Sequence, residues 1–479
     1  MEQVPSIVGE LREEFVDASL PDWRLRERLM GLASELDRAP EESLPRALKT
    51  TAAREAAYRF LGNRRVTAAG ILAPHMAATV RRAQQHQTVY VVSDTTEFSF
   101  SGERGARLGR LQGDSRGFLG HFALVVSADG KRRPLGMLGM ELLVRSDERK
   151  HHRNIYQRKK DPERESLRWS RMVERSSAQL ANVQSIHVMD SEADTYELLT
   201  DMTRAGRRFI VRAGQDRLVD EEEGCLSEAV ANSEILLERE VALCRRTAGK
   251  SKYGGTRKPS RRHGARAARL AHLRISCRQV SLKRPKSCTV AYPSTICVNV
   301  VRVFEPSPPD GQVPVEWQLL TTEPIATAAQ VAAVVDGYRT RWLIEEYFKA
   351  IKTGCAYESR QLESLRTLSN FLAIIAVLAW RLLLLRAVHR GEKDAPASDI
   401  LGRALLEALA ERLKDIGERK PLPLKPSVDD ALNAIARLGG HIKSNGVPGW
   451  QVLWRGYQDL LTWGGGYIRG KSITCNDQW

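Results

Sequence analysis

Acidic residues follow two predicted strands of this chain, where they could act together on a phosphodiester. Asp94 comes after the β-rich run TVYVVS, and Asp190 comes after SIHVM. Functional groups of α/β proteins gather at the carboxyl ends of strands. Carboxylates are preferred Mg²⁺ ligands, and two such ions can activate a nucleophile and stabilise a leaving oxygen. The alternatives are a turn residue at Asp94 and a helix cap at Asp190.

A third acid, Glu345, lies in the run YRTRWLIEEYFKAIK, within a helix predicted over Val331–Lys352. At about 100° per residue, this helix has one polar and one apolar face. The polar face carries Tyr338, Arg341, Glu345, Lys349 and Lys352, and the apolar face carries Leu343, Ile344, Tyr347, Ala350 and Ile351. Such a polar face offers an acid to a cation and basic groups to phosphate oxygens. The alternative is an exposed helix with i,i+4 ion pairs, each contributing about 0.3–0.5 kcal/mol.

The surrounding elements predict a mixed α/β chain. Residues 1–70 have helical periodicity with arginines on both helices, which suits a DNA-binding module or an ordinary solvated surface. The order strand, hairpin, helix, strand, helix, strand then predicts a mixed central sheet with helices on its faces. Short β runs over 215–325 predict an inserted β subdomain, and helices return at 331–352, 364–390 and beyond.

Positive charge is concentrated in one segment. The net charge is +16, and the segment 245–286 holds fifteen Lys or Arg and no acid. The rest of the chain then has 59 basic and 58 acidic residues, so it is nearly neutral. A single cationic segment indicates a polyanionic partner, most commonly a nucleic acid. A disordered, solvated insert is the alternative.

Length and composition exclude several other classes. With 479 residues, the chain is expected to hold two to four domains. Its seven cysteines form no CxxC pair, which favours free thiols in a reducing cytosol over a disulfide scaffold or a zinc site. The N-terminus has no signal-peptide pattern. The apolar run Phe371–Leu385 is interrupted by Arg381 and is too short for a membrane span, so a buried helix is predicted.

Taken together, these motifs resemble those of the cut-and-paste DDE transposases of the insertion-sequence-four (Tn-five) type, over nearly the whole chain. The family signature Y-(2)-R-(3)-E-(6)-K is met by Tyr338, Arg341, Glu345 and Lys352. Asp94 begins the motif Asp-Thr-Thr, and Asp190 lies in MDSEAD. Further matches are AAYRFLGN, Ser115-Arg116-Gly117, RFIVR, WQLLTTEP, ARLGG and LWRGY. The run Pro21–Arg28 departs from the arginine cluster typical of the family, so the recognised end sequence is expected to differ.

The resemblance implies an RNase H-like catalytic core over 71–385, with the β insertion at 215–325. It also implies an N-terminal helical DNA-binding domain over 1–70 and a C-terminal helical dimerisation domain over 386–479. Asp94, Asp190 and Glu345 would bind two Mg²⁺ ions, for which Mn²⁺ could substitute. The residues expected at the DNA are Tyr338, Arg341, Lys349, Lys352, Trp317, Arg212, Trp342, Arg24, Arg28 and Arg38.

The activity implied by this resemblance is excision of a mobile DNA element through its inverted-repeat ends. A nick, a hairpin, hairpin opening and strand transfer into target DNA would follow one another, in a cytoplasmic homodimer on paired ends. Trp317 would stack a flipped base during hairpin formation, although a core tryptophan is the plainer interpretation. An RNase H-like nuclease without strand transfer and an inactive DNA-binding inhibitor of transposition are the alternatives.

Overall fold

The fold is seen in a computed structural model. The described residues are 11–476, except 103–104, 106, 113–114, 147–160, 162, 221, 223, 244, 246–265, 289–290 and 443–446. The middle of the predicted basic segment therefore lies outside the described residues, as does much of the polar stretch before the helix at 167. Five cysteines have free thiols, as predicted: Cys225, Cys277, Cys288, Cys297 and Cys355.

The strands of the described residues form one ten-stranded mixed sheet, ordered β2-β3-β1-β5-β6-β10-β9-β8-β7, with β4 paired to β3. Their bounds are β1 Thr88–Phe100, β2 Gly109–Arg110, β3 Arg116–Ser127, β4 Pro134–Leu143, β5 Gln184–Met189, β6 Arg208–Arg212, β7 Ile235–Leu243, β8 Arg269–Lys283, β9 Thr295–Phe304 and β10 Glu316–Thr321. Strands β1, β5 and β6 run parallel, and the other pairings are antiparallel. The predicted mixed central sheet and the hairpin β3–β4 are thus confirmed.

Strand β1 does not end at Asp94, as the sequence suggested. It continues to Phe100 because its antiparallel pairing with β3 persists as far as Phe100 opposite Arg116. The parallel pairing with β5 ends earlier, at Ser93 opposite Met189. Asp94 therefore lies at the point where the neighbouring parallel strand stops, although its own strand goes on.

The predicted β insertion consists of strands, but they do not form a separate sheet. Strand β10 pairs with β6, and β9, β8 and β7 follow in order. The central sheet thus continues directly into residues 235–321. The helix Ala328–Arg339 packs against β6, β9 and the edge strand β7.

Helices cover the sheet and form both ends of the chain. Their bounds are α1 Trp23–Arg38, α2 Leu44–Ala47, α3 Thr51–Gly62, α4 Ala68–Ala83, α5 Leu167–Gln179, α6 Tyr196–Arg204, α7 Leu226–Ala231, α8 Ala328–Arg339, α9 Trp342–Lys349, α10 Leu365–Gly391, α11 Arg403–Asp415, α12 Val428–Leu438 and α13 Trp450–Asn476. The helical periodicity predicted for residues 1–70 and for the C-terminal part is confirmed.

The predicted single helix Val331–Lys352 is instead two helices, α8 and α9, followed by a π-helical turn Ala350–Gly354. The break has a local cause at Thr340. Its hydroxyl donates to the Asp336 carbonyl (3.2 Å), and its N–H bonds the Gly337 carbonyl instead (3.1 Å). Such back-bonding by Thr bends helices. The predicted apolar face is still buried, apart from the half-buried Leu343.

The core is organised around α10, which is apolar on all sides. By length and composition α10 could cross a membrane, yet 94% of its apolar window is buried inside the molecule. It packs against α3, α4, β4 and α9 and against the C-terminal helices α12 and α13. A helix that is apolar all round belongs to the interior of a large domain. The buried helix predicted at Phe371–Leu385 is confirmed.

A glycine of ARLGG and a glycine of LWRGY allow the two C-terminal helices to cross at close range. Gly439 ends α12 and Gly456 lies in α13, where these helices cross. A Cβ added at Gly439 would lie 1.9 Å from the Val452 carbonyl oxygen, and one at Gly456 would lie 1.7 Å from that of Ile435. Any side chain at either position would therefore push the two backbones apart.

Candidate active site

Asp94 and Asp190 lie side by side on neighbouring parallel strands. Ser93 and Met189 form the last paired position of β1 and β5, and the two aspartates come next. Neighbouring strands are about 4.8 Å apart, so the two aspartates lie close together at the C-terminal end of the parallel pairing of β1 and β5. The Asp190 carboxylate also accepts a bond from the Glu192 amide (2.8 Å) and caps the turn Ser191–Ala193. Its interpretation as a cap is therefore correct as well.

Glu345 reaches this edge from the first turn of α9. Arg341 joins the acids: its Nη1 donates to Asp94 Oδ2 at 2.9 Å, and its Nη2 donates to Glu345 Oε1 at 2.5 Å. The Arg341 side chain is only 15% exposed, so this is no solvated surface pair. The i,i+4 ion pair expected of an ordinary helix exists, but its guanidinium also holds a strand residue 247 positions away.

The charge of Asp94 reflects its surroundings. Burial is the main cause that raises the pKa of Asp94 to about 7, and the nearby carboxylate of Asp190 raises it further. Arg341 opposes this rise, while Glu345 adds to it. Both other acids thus act electrostatically on Asp94, although Glu345 lies far from it in the sequence. A concentration of negative charge that one arginine compensates only in part is suited to a cation.

The donor chemistry at this edge fits a hard divalent cation, because all three groups offer carboxylate oxygens. Among the residues that the structure describes, no group of three His, Cys, Asp or Glu side chains is close enough to hold an ion. Asp94 and Glu345 are bridged by the Arg341 guanidinium, which lies between them. Asp94 and Asp190 are thus strand neighbours, and Glu345 is linked to Asp94 through Arg341.

Two protein families match this chain. The family described as Transposase DNA-binding matches residues 10–66, and the family described as Transposase DDE domain matches residues 143–381. The chain carries the two domains of a DDE transposase. Asp190 and Glu345 lie inside the matched DDE domain, whereas Asp94 precedes it. A DDE domain indicates an enzyme that cleaves and transposes DNA, and such domains generally use divalent metals.

Among solved structures, the chain is similar to a piggyBac transposase determined by cryo-EM in a synaptic complex with hairpin DNA. The two share 9% sequence identity, and the likeness covers 95% of this chain and 83% of that chain. The TM-score is 0.34, which does not establish a shared topology.

The remaining predicted residues of the transposase's signature are only partly accessible. Tyr338 is 6% exposed and packs on Trp317 with ring centroids 5.7 Å apart. Burial raises the pKa of the Tyr338 phenol, and Arg341 and Arg212 oppose this. The structure thus places Tyr338, Trp317, Arg212 and Arg341 in one neighbourhood. Trp317 itself is half-buried. It is less exposed than a free stacking platform for a base would be, and more exposed than a core tryptophan.

The other predicted contacts lie on α9 and its continuation. Trp342 is 56% exposed at the start of α9, and Lys349 is exposed at its end. Lys352 lies in the π-helical turn, with its Nζ 5.5 Å from the centroid of the Phe98 ring. Phe98 is on β1 beyond Asp94, so the turn directs this ammonium group back toward the same strand.

The predicted N-terminal arginines lie on α1, within the matched DNA-binding domain. Arg24 and Arg28 are exposed, and Arg38 pairs with Glu35 at 2.8 Å. Helix α1 packs against α2, α3 and α13. Arg24 and Arg28 thus face solvent from a helix of the matched DNA-binding domain.

The described end of the basic segment is less available to DNA than its composition indicated. Three of its cations on β8 bind acids of neighbouring elements: Arg269 with Glu305, Arg274 with Glu238, and Lys283 with Asp220. Seven of the fifteen basic residues fall in 246–265, outside the described residues.

One buried acid near the site, Asp194, was not identified from the sequence. Asp194, the last residue of MDSEAD, is buried and accepts bonds from the Gly214 amide (2.8 Å) and from Arg217 Nε (2.8 Å). It thereby fixes the loop that follows Arg212 at the end of β6. An acid after the predicted catalytic one was visible, but its partner lies 23 residues further on.

Proposed function

We propose that this chain is a cut-and-paste transposase of the insertion-sequence-four (Tn-five) type, with an RNase H-like catalytic core. It binds the inverted-repeat ends of a mobile element, excises the element and joins it to target DNA. The observation that supports this proposal is that Arg341 bridges Asp94 and Glu345 beside Asp190, in a chain with a transposase DDE domain.

The three carboxylates would hold two Mg²⁺ ions, or Mn²⁺ in their place. The chemistry supplied by the bound ions is activation of water or hydroxyl and stabilisation of the leaving oxygen. The protein's own part is to orient Asp94 and Asp190 through the amides of Thr95 and Glu192 (2.7 and 2.8 Å). Arg341 keeps Glu345 beside them, and its five N–H donors outnumber its two carboxylate contacts, so donors remain for a phosphate oxygen.

The proposed reaction has four steps. Water attacks a phosphodiester at the transposon end and leaves a 3′-hydroxyl, which attacks the opposite strand to form a hairpin. A second water opens the hairpin, and the 3′-hydroxyl then attacks target DNA. No covalent bond to the protein is needed at any step. The same acids serve each attack. Water is the nucleophile in the two hydrolytic steps, the DNA 3′-hydroxyl is the nucleophile in the other two, and a DNA oxygen is the leaving group in all four.

A homodimer on paired ends is part of this proposal, with residues 386–479 as the dimer contact and each end cut in trans. The DNA-binding residues proposed for the end are Tyr338, Arg341, Lys349, Lys352, Trp317, Arg212, Trp342, Arg24, Arg28 and Arg38. The protein is proposed to act in the cytoplasm, at the bacterial nucleoid.

The test uses the full-length protein and a linear duplex that carries the element's own ends beside a target plasmid. Products are resolved on a denaturing gel, with and without Mg²⁺. Nicks, then hairpins, then joined products are expected only with the metal. Nicks without joined products would identify a nuclease, and binding without any cleavage would identify an inhibitor of transposition.

Replacing Trp317 with alanine should slow hairpin formation about 5- to 150-fold, because stacking of a base on an aromatic ring contributes about 1–3 kcal/mol. First-strand nicking should change little. Gel time courses measure both rates. Trp317→Leu is the matched control, since it preserves apolar contact with Tyr338 but removes the flat ring. If leucine restores hairpin formation, Trp317 has a packing role and no stacking role.

Neutralising Arg257, Lys258, Arg261 and Arg262 to glutamine should reduce the salt dependence of DNA binding. The slope of log K against log salt should fall by about 0.9 for each phosphate that the protein no longer neutralises. Fluorescence anisotropy at several salt concentrations measures this slope. The control variant Arg274→Gln/Lys283→Gln removes cations already paired with acids, so its slope should stay unchanged. Equal slopes in all three proteins would show that the segment does not bind DNA.

A further inference from the structure

Arg168 is a buried arginine on the opposite side of the sheet from Arg341. It lies at the start of α5 and is 6% exposed. Its Nε donates to Thr95 Oγ1 at 2.9 Å, its Nη1 to the Glu165 carbonyl at 2.9 Å, and its Nη2 to the Glu192 carboxylate. The two side chains that it binds therefore come from two segments: Thr95 lies within β1, and Glu192 lies in the turn after β5.

These two partners are the neighbours of the proposed catalytic aspartates. The Thr95 amide donates to Asp94 Oδ1 at 2.7 Å, and the Glu192 amide donates to Asp190 Oδ1 at 2.8 Å. Side chains alternate across a strand, so Thr95 faces away from Asp94, toward α5. Arg168 thus binds the side chains of Thr95 and Glu192, the two residues whose backbone N–H groups donate to the aspartates.

On this basis, and resting on the proposed function, we propose that Arg168 is a positioning residue that fixes the Asp94 and Asp190 carboxylates relative to each other for metal binding and DNA cleavage. It acts through Thr95 and Glu192 and does not touch the DNA.

The surroundings of Arg168 hold its guanidinium in one place. Thr95 Oγ1 is also hydrogen-bonded to His121 Nδ1 at 2.9 Å, and the His121 ring packs edge-on to Trp169 with centroids 4.6 Å apart. The Arg168 guanidinium carbon lies 5.5 Å from the centroid of the Trp169 ring. A planar fork so held can reach two acceptors at fixed angles, which the single ammonium of a lysine cannot do.

The test compares Arg168→Met, Arg168→Lys and the control Arg171→Met with the wild type. Arg171 lies on the same helix, but it binds Glu141 on β4 and its side chain is 40% exposed. Three quantities are measured: Mn²⁺ affinity of the DNA-free protein by electron paramagnetic resonance, the single-turnover nicking rate, and transposon-end affinity by gel shift. Hydrogen exchange at the Thr95 and Glu192 amides reports the positioning directly, without metal.

Arg168→Met should weaken Mn²⁺ binding and slow nicking about 10- to 100-fold, the usual cost of losing a residue that orients metal ligands. Exchange at both amides should accelerate, and end affinity should stay within about twofold of the wild type. Arg168→Lys should resemble Arg168→Met, and Arg171→Met should resemble the wild type. Glu192→Gln, at a side chain that is 61% exposed, provides a variant that should fold even if Arg168→Met does not.

Two outcomes would overturn the inference. One is a folded Arg168→Met protein with wild-type Mn²⁺ affinity and nicking rate. The other, should that variant fail to fold, is wild-type behaviour of both Glu192→Gln and Thr95→Val. Failure of the proposed function looks different, since the wild-type protein itself would then not nick the transposon end, or Asp94→Asn would nick it normally.

Discussion

Asp94→Asn should abolish DNA cleavage while transposon ends are still bound. The substitution keeps the shape of the side chain but removes the charge that would hold a cation beside Asp190. A bound metal contributes several kcal/mol to the transition state. A loss of about 4 kcal/mol corresponds to about a thousandfold in rate. Asp190→Asn and Glu345→Gln should have effects of the same size. Nicking of an end duplex in single-turnover conditions measures the loss, and a gel shift measures binding.

Glu97→Gln is the matched control for Asp94→Asn. Glu97 lies on β1 three residues after Asp94, so alternation places its side chain on the other face of the strand. It should cleave at close to the wild-type rate. Any one of the three acids whose amide variant keeps full cleavage does not belong to the site, and loss of activity in Glu97→Gln would extend the site to that face of β1.

The strands before Asp94 and Asp190 could be predicted because alternation and β-rich composition are local signals. The continuation of β1 to Phe100 could not, since it depends on pairing with β3, a separate strand that begins only at Arg116. The bridge that Arg341 makes between Glu345 and Asp94 could be predicted only in part. The i,i+4 spacing on one helix face predicted that Arg341 and Glu345 would be in contact, but no local pattern indicated that Arg341 also binds an aspartate of β1.

The residues behind the site were the least predictable. Arg168 follows a polar stretch, and in the sequence it looks like any exposed arginine. Its proposed positioning role depends on hydrogen bonds to two partners in different parts of the chain. The glycines of ARLGG and LWRGY have no periodicity that reveals their contact, which only the packed helices create. Such features arise from tertiary packing, whereas strands and helices arise mainly from local patterns.

A buried ion pair connects the parts of the chain that the sequence assigned to three domains. Arg381 interrupts the apolar run of α10, and its Nη1 donates to both carboxylate oxygens of Asp37 at 2.8 Å. The two side chains are 7% and 9% exposed. Asp37 belongs to the matched DNA-binding domain, and Trp454 of the C-terminal helix α13 donates from Nε1 to its backbone carbonyl at 2.9 Å. Asp37 of α1 is therefore bonded both to Arg381 in the core helix α10 and to Trp454 of α13.

Arg381→Met should lower the free energy of unfolding by about 3–5 kcal/mol, because it leaves the Asp37 carboxylate buried without its cationic partner. Urea denaturation measures this change. The double variant Asp37→Leu/Arg381→Met should recover most of the loss, since apolar groups can replace a buried ion pair at little cost. As a control, Arg59→Met removes an exposed pair with Glu55, whose side chains are 68% and 63% exposed, and should cost at most about 0.5 kcal/mol. If Arg381→Met costs no more than that control, the pair does not hold the N-terminal helices to the core. If the double variant is as unstable as the single one, the loss comes from packing around α10 and not from the unpaired charge.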